Sequence, residues 1–502
     1  MINFTFPKVE LHLHIDCSLS FNFVSKVLPG ISREEYERVY NTPVDCCSLN
    51  DYLACAKAAI ALMQTREQIF DATLDVIHQL EQDHVIYGEL RFAPLQHLEN
   101  GLTPEEVVEA SIDAVKSYQG PVKVNLILCT LRHFTREQSD LTADLVIKYH
   151  QQGVVALDLA ADEVGFNLEN HAAAFEKVRQ HKIPCTAHAG EARGAESVIE
   201  TLSLLQTKRI GHGIRSVEDE ALLERLKRDQ IHLEICPTSN HITQVYPKGE
   251  NYPIEKLKEA KVSFGINTDG RAISNVTLAD EYAWLVQNKA WTIDDMFQAN
   301  VDALNAAFIS NEERSAMMNI LLLGFQSTGL GPETKINIYA GNREFIELSN
   351  FAKRPFDYSG DGEPDFDKEK FGGFFETVEG AFQAQKVRFL DPNLFTESPR
   401  YDAAMSHIAR LRTCTGSQAK IWGQEIQGLN RDAWNAHSSR IMKSLLMQSF
   451  QQNPYAFRLL LATGNATLTH HQRNEDAWSV KFPKLLMEVR EELRRTRENI
   501  QS

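Results

Sequence analysis

The sequence predicts an α/β protein: a (β/α)8 TIM barrel in residues 1–332, followed by a second, smaller, helix-rich α+β domain in residues 333–502. Three observations lead there. Eight short apolar, β-rich runs alternate with polar-apolar segments of helical period, the pattern of a parallel sheet wound with helices. Histidines and carboxylates gather where those runs end, and barrels of this kind carry their chemistry at the C-terminal ends of the strands. The alternation stops at Leu330-Gly331-Pro332, a breaker cluster that marks a boundary.

The strands are expected at 8–13, 85–92, 122–129, 154–159, 183–187, 209–212, 231–235 and 262–266, the first bounded by Pro7. Between them lie helical segments such as 103–118, 136–151 and 217–229; the first opens on Thr103-Pro104-Glu105-Glu106, which reads as a capping box. In the second domain, 336–339 reads as a strand, 359–364 as a polar loop, and 376–388 and 436–452 as helices. A last helix is expected to begin at Pro483. It buries Leu485, Leu486, Val489 and Leu493 on one stripe and leaves Glu488, Arg490, Glu491 and Arg494 outside.

His12-Leu13-His14 ends the first run. Residues i and i+2 of a strand share a face, so both imidazoles reach one ion. His188 and Glu191 follow the fifth run, His212 sits between Gly211 and Gly213 at the end of the sixth, and Asp269 follows the eighth. Singly, each reads as well as a core histidine, a capping aspartate or a solvated glutamate. Jointly they occupy equivalent places on their strands, and a closed barrel sets strand eight beside strand one.

These segments resemble the adenosine deaminase family of zinc-dependent barrel hydrolases over residues 1–332. The match rests on Val9–Asp16, Gly88–Pro94, Ala156–Glu163, His188–Glu191, Ile210–Gly213, Cys236–Asn240 and Asn267–Asp269, in the family's order. The resemblance implies that His12, His14, His188 and Asp269 hold one Zn2+. It makes Glu191 the acid/base, His212 the group that orients the attacking water, with Asp269 assisting through its other oxygen. Asp16 and Ala161 would contact the substrate.

Deamination of an adenine ring adds water at C6, and a bound divalent metal lowers the pKa of water from about 15.7 to about 7. Nitrogen and oxygen donors suit zinc with one position open. Negative charge develops on the ring nitrogen, so a protonated carboxyl group must donate there, and a raised pKa keeps Glu191 protonated. Two departures bear on the substrate. The family's second Asp, which contacts N7 of the purine, is Gly270 here, and its usual Gly after the first histidine pair is Cys17. Cys17 itself reads as a small buried side chain.

Residues 336–495 resemble the NADAR superfamily, which includes N-glycosidases of riboflavin-pathway intermediates and hydrolases that remove ADP-ribose from guanine bases. The matching segments are Ile336–Tyr339, Leu348–Ala352, Glu379–Lys386, Trp434, Leu459–Thr463, Asn474–Trp478 and Leu485–Arg490; the residue after Glu379, commonly His, is Gly380. Cleaving a ribosyl C–N bond passes through a cation that a carboxylate stabilises and a second carboxyl group assists. Glu379 and Asp476 are the candidates, with Asn350, Lys386, Trp434 and Trp478 at the substrate. The competing reading makes Glu379 a solvated helix residue, both tryptophans core, and the domain a non-catalytic sensor of ADP-ribose or a nucleotide.

Composition sets the outer limits. The 502 residues are 43% hydrophobic and 24% charged, ordinary for globular domains and ample for two cores. No apolar run is long enough to span a bilayer, and the N-terminus lacks a signal core. Eight cysteines without paired metal spacing suit a reducing cytosol. A net charge of −16 argues against broad nucleic-acid binding, leaving ADP-ribosylated bases as the exception among small nucleoside and nucleotide substrates. A homo-oligomer is compatible with this composition.

Overall fold

The protein is described by a computed structural model covering residues 4–42, 46, 48–247, 251–326, 329–339, 341, 344–391, 399–471 and 477–501. Its contacts divide it into two units, 1–310 and 311–502.

In the first unit the chain lays down eight parallel strands: β1 (Lys8–His14), β2 (Val85–Phe92), β3 (Lys123–Leu131), β4 (Val154–Ala160), β5 (His188–Ala189), β6 (Arg209–His212), β7 (His232–Ile235) and β8 (Ser263–Ile266). They pair in sequence order as β1-β2-β3-β4 and β5-β6-β7-β8. Two bridges join the halves. Leu157 pairs with Cys185, and Leu13 pairs with Asp269, where His14 N donates to Asp269 O at 2.8 Å and Asp269 N to His12 O at 3.0 Å. The sheet thus closes, and the ends of β1 and β8 meet.

The fifth strand begins later than expected. Pro184 has no N–H to give a ladder, so the run 183–187 makes only the Cys185 bridge, and regular pairing starts at His188. Elsewhere the local signals act as read. Thr103 and Glu106 form the capping box of the helix Pro104–Ser117, which buries Val107, Val108, Ala110, Ile112 and Ala114. Thr135 and Gln138 do the same for Arg136–Tyr149.

The second unit starts at Asn311, before the Gly331-Pro332 breaker, because the helix Asn311–Phe325 packs on the helix Pro454–Ala462. Among its described residues it holds two small sheets: β9 (Lys335–Asn337) pairs in parallel with β12 (Thr467–Thr469), and β10 (Lys353–Tyr358) pairs antiparallel with β11 (Gly373–Thr377). Glu376 and Thr377 end β11 rather than begin a helix. Thr377 then caps the helix Val378–Gln385, all eight residues of which are buried. Around it pack the helices Gly416–Gln424 and Arg431–Gln452.

The last helix runs Ala477–Gln501 and carries Pro483 inside it. Burial of Phe482, Leu485, Leu486, Val489 and Leu493 outweighs the hydrogen bond that Pro483 cannot donate. Arg490, expected outside, is buried instead, and its Nη1 donates to Thr463 Oγ1 at 2.9 Å and to Ala466 O at 2.8 Å. Among the described residues no helix is long and apolar enough to cross a membrane, and every described cysteine is free.

Candidate metal centre and active site

β1 ends with His12 and His14, β5 opens with His188, β6 ends with His212, and Asp269 follows β8. Donor atoms of His12, His188, His212 and Asp269 all lie within 4.8 Å of one another. His14 joins them, its Nε2 3.2 Å from His188 Nε2 and 3.5 Å from Asp269 Oδ1. His12 Nε2 is 3.3 Å from Asp269 Oδ1; it is fully buried and has no hydrogen-bond partner. A buried imidazole nitrogen facing a carboxylate and further imidazoles is the donor set of a divalent-metal site, and these residues fit zinc. Burial holds His14 and His212 well below the usual histidine range, so their lone pairs stay free. Burial also pushes Asp269 upward, but His12, 3.3 Å away, and the neighbouring imidazoles hold it well below the usual carboxylate range.

Beside the donors stand the acid/base candidates. Burial, reinforced by the charges of Asp269 and Glu163, pushes Glu191 well above the carboxylate range, and its Oε1 is buried without a partner. Its Oε2 lies 3.6 Å from His212 Nε2. His212 Nδ1 is held by Asn240 Nδ2 at 3.2 Å, and Asp269 Oδ2 accepts from Ser239 Oγ at 2.8 Å. Sequence reasoning gave Ser239 and Asn240 no role, although they lie in the Cys236–Asn240 segment; their clue was the helix Pro237–Ile242 opening directly at a strand end.

His14, His188, Glu191, His212 and Asp269 open into one cavity of about 400 Å³, walled also by Asp16, Cys17, Tyr52, Ala161 and Phe166. Burial raises Asp16 to about 7. Ala161, His212 and Asp269 hold φ of 77°, 58° and 64°, the left-handed region that favours glycine. Gly270 has no room for a side chain: a Cβ there would lie 2.7 Å from Tyr52 Oη and 2.7 Å from Cys17 Cβ. Tyr52, which the sequence reading missed, is buried and bonded to Ser274 Oγ at 3.0 Å.

The second unit has its own cavity, also about 400 Å³, walled by Asn350, Glu379, Lys386, Lys420, Trp434 and Trp478 among others. Glu379 is buried, and burial raises its pKa against the pull of its amide donors, Gln383 Nε2 at 2.7 Å and Asn350 Nδ2 at 2.5 Å. It is therefore not a solvated helix residue. Lys386 Nζ donates to Gly423 O at 3.0 Å, with burial lowering its pKa. A side chain at Gly380 would collide with the Leu411 carbonyl, so the histidine common at that position has no space here. Trp434 is largely core, its ring 4.9 Å from Phe382 and 5.6 Å from Phe389, whereas Trp478 is half-buried on Phe382 at 5.1 Å. Asp476 lies outside the described residues.

Comparison with known proteins also finds two parts, with the first match running past the 310/311 division of the contacts. Residues 7–322 match the family model described as adenosine deaminase, and residues 338–494 match the NADAR domain. The adenosine deaminase of Clostridium acetobutylicum is 35% identical over 315 residues, 61% of this chain and 94% of that protein. Among solved structures, an adenine deaminase from Arthrobacter aurescens is similar at a TM-score of 0.59 and 23% identity, covering 63% of this chain and 98% of its own. The N6-methyl-AMP deaminase of Arabidopsis thaliana is similar at 0.57 and 22%, covering 63% and 96%.

Proposed function

The chain belongs to the adenosine deaminase family, and from that premise we propose that its barrel deaminates an adenine nucleoside or nucleotide with one zinc held by His12, His14, His188 and Asp269. The observation that carries this is the convergence of those donors on one another, beside a cavity that His14, His188, Asp269, Glu191 and His212 line. Zinc, when bound, supplies a Lewis acid that makes water nucleophilic near neutral pH. The protein's own groups do the rest. Glu191, kept protonated by burial, gives its proton to the ring nitrogen as water adds at C6. His212, fixed by Asn240, orients the attacking oxygen together with the Asp269 oxygen that Ser239 holds. One proton of the added water passes to the amino group and the other returns to Glu191, so ammonia leaves and a carbonyl remains at C6. Asp16 and the Ala161 backbone line the substrate's side of the cavity.

The second unit is a ribosyl N-glycosidase within the same proposal. A buried carboxylate in a cavity with aromatic faces and two lysines suits a ribosyl cation flanked by a flat base. Glu379 stabilises that cation, Asn350 orients Glu379, Trp478 stacks on the base, and Lys386 and Lys420 meet anionic groups of the substrate. Free cysteines suit a reducing cytosol. Incubating the full chain with adenine nucleosides, nucleotides and ADP-ribose conjugates, with mass detection of products, tests both halves. Metal analysis accompanies it: His188→Ala should lose the zinc and all deamination yet keep any base release. Wild-type deamination that survives verified metal removal would sink the zinc reading.

A further inference from the structure

The segments Gly88–Pro94 and Ala156–Glu163 contain Glu89, Arg91 and Asp158, charged residues that the proposed chemistry does not use, and all three are fully buried. With Glu234 and Arg209, also buried, they form a layer beneath the metal donors. Glu234 Oε2 accepts from His12 Nδ1 at 2.7 Å and from Arg91 Nη2 at 2.7 Å. His188 Nδ1 is shared between Leu159 O at 3.0 Å and Asp158 Oδ1 at 3.2 Å, and Asp158 Oδ2 accepts from Arg91 Nη1 at 3.1 Å. The two ends of one guanidinium therefore join the carboxylate behind His12 to the carboxylate behind His188. Arg209 closes the layer, giving Nε to Glu234 Oε1 at 2.7 Å and Nη1 to Glu89 Oε2 at 2.6 Å.

Such a layer is an expensive core. Buried ion pairs pay desolvation that hydrophobic side chains of similar volume do not, so stability alone is a poor reason for it. Its geometry supplies a better one. A carboxylate on Nδ1 holds the proton there, leaves the Nε2 lone pair toward the ion and fixes the ring's angle. The rigid fork of an arginine sets the spacing of two such carboxylates, which a lysine's single point charge does not.

We propose that Arg91 is a positioning residue for the metal centre: through Asp158 and Glu234 it orients His188 and His12 together and so sets the affinity of the barrel for zinc. The inference rests on the metal reading of the four donors and extends it to residues that touch neither metal nor substrate.

The test measures zinc affinity of the full-length protein by competition with a chromophoric chelator, alongside the melting temperature of the metal-free form. Arg91→Lys, Asp158→Asn and Glu234→Gln should each weaken zinc binding about 10–100-fold, the usual scale for groups behind the ligands. Arg91→Lys combined with Asp158→Asn should lose less than the product of the two single losses, because both act through His188. Folded variants that bind zinc as tightly as wild type overturn the inference and leave the metal site standing. If none of the three folds, the layer is structural and the inference falls. If wild type itself binds no zinc, the metal reading is what has failed.

Discussion

Tyr52 Oη stands 2.7 Å from the point where a side chain on Gly270 would begin, so a hydroxyl from a distant helix occupies the space beside Asp269, the proposed ligand. Gly270→Asp is therefore expected to destabilise the barrel rather than restore the carboxylate common in the family. Overpacking of this kind costs about 1–3 kcal/mol, readable by urea denaturation. A folded, fully stable Gly270→Asp enzyme would contradict it. With no carboxylate at 270, replacing N7 of the substrate by carbon should cost this enzyme less in kcat/KM than it costs relatives with the second Asp.

Glu191→Gln keeps the shape of the side chain and removes its proton. It should retain zinc yet lose deamination by at least about a hundredfold in kcat, the scale of a positioned acid/base. Zinc content by mass spectrometry and steady-state kinetics on the same preparation decide. Equal kcat in the two proteins would remove Glu191 from the chemistry.

In the second unit, Glu379→Gln should preserve binding of an ADP-ribose conjugate and abolish release of its base. Trp478→Ala should instead weaken binding by about 1–3 kcal/mol, the range for a stacked base. Trp434→Ala is a poor probe of recognition, because that ring packs between Phe382 and Phe389 and its loss is expected to cost about 3–5 kcal/mol of stability. Titration calorimetry and product analysis separate these outcomes. Conjugates that bind but are never cleaved by wild type would make the domain a sensor.

Glu281 is fully buried, and burial raises its pKa from 4.5 to about 8 while its Oε1 accepts from Thr238 N at 3.0 Å. The folded barrel thus holds this proton more tightly than the unfolded chain. Its contribution is present in full below the unfolded pKa and is lost as pH rises through the folded one. Unfolding free energy should fall between about pH 5 and pH 8, by on the order of 1 kcal/mol per unit from this group. Glu281→Gln should flatten that slope; denaturation at pH 5.5 and 8 that shows the same slope in both proteins would rule Glu281 out.

Most of the barrel is legible because its signals are local. Apolar runs, threonine caps and a histidine pair at i and i+2 need only neighbours in sequence to be read. What escapes depends on partners far along the chain. Asp158 and Glu234 sit in strands where a carboxylate looks like an error until Arg91 and Arg209 arrive from other strands. Arg490 reads as surface because its acceptors, Thr463 and Ala466, lie a helix away. Tyr52 is invisible for a third reason, since only the closed ring brings its helix over Gly270.

The left-handed backbone at Ala161, His212 and Asp269 bears on how the enzyme evolves. Each such residue costs roughly 1–2 kcal/mol relative to ordinary geometry, and aspartate and histidine tolerate it better than alanine. Under the proposed mechanism selection at 212 and 269 cannot trade the side chain for comfort, since the side chain is the working part. At 161 it can, and a single change to glycine would remove the strain. A lineage moving to hotter surroundings has that change available before it must touch any catalytic group.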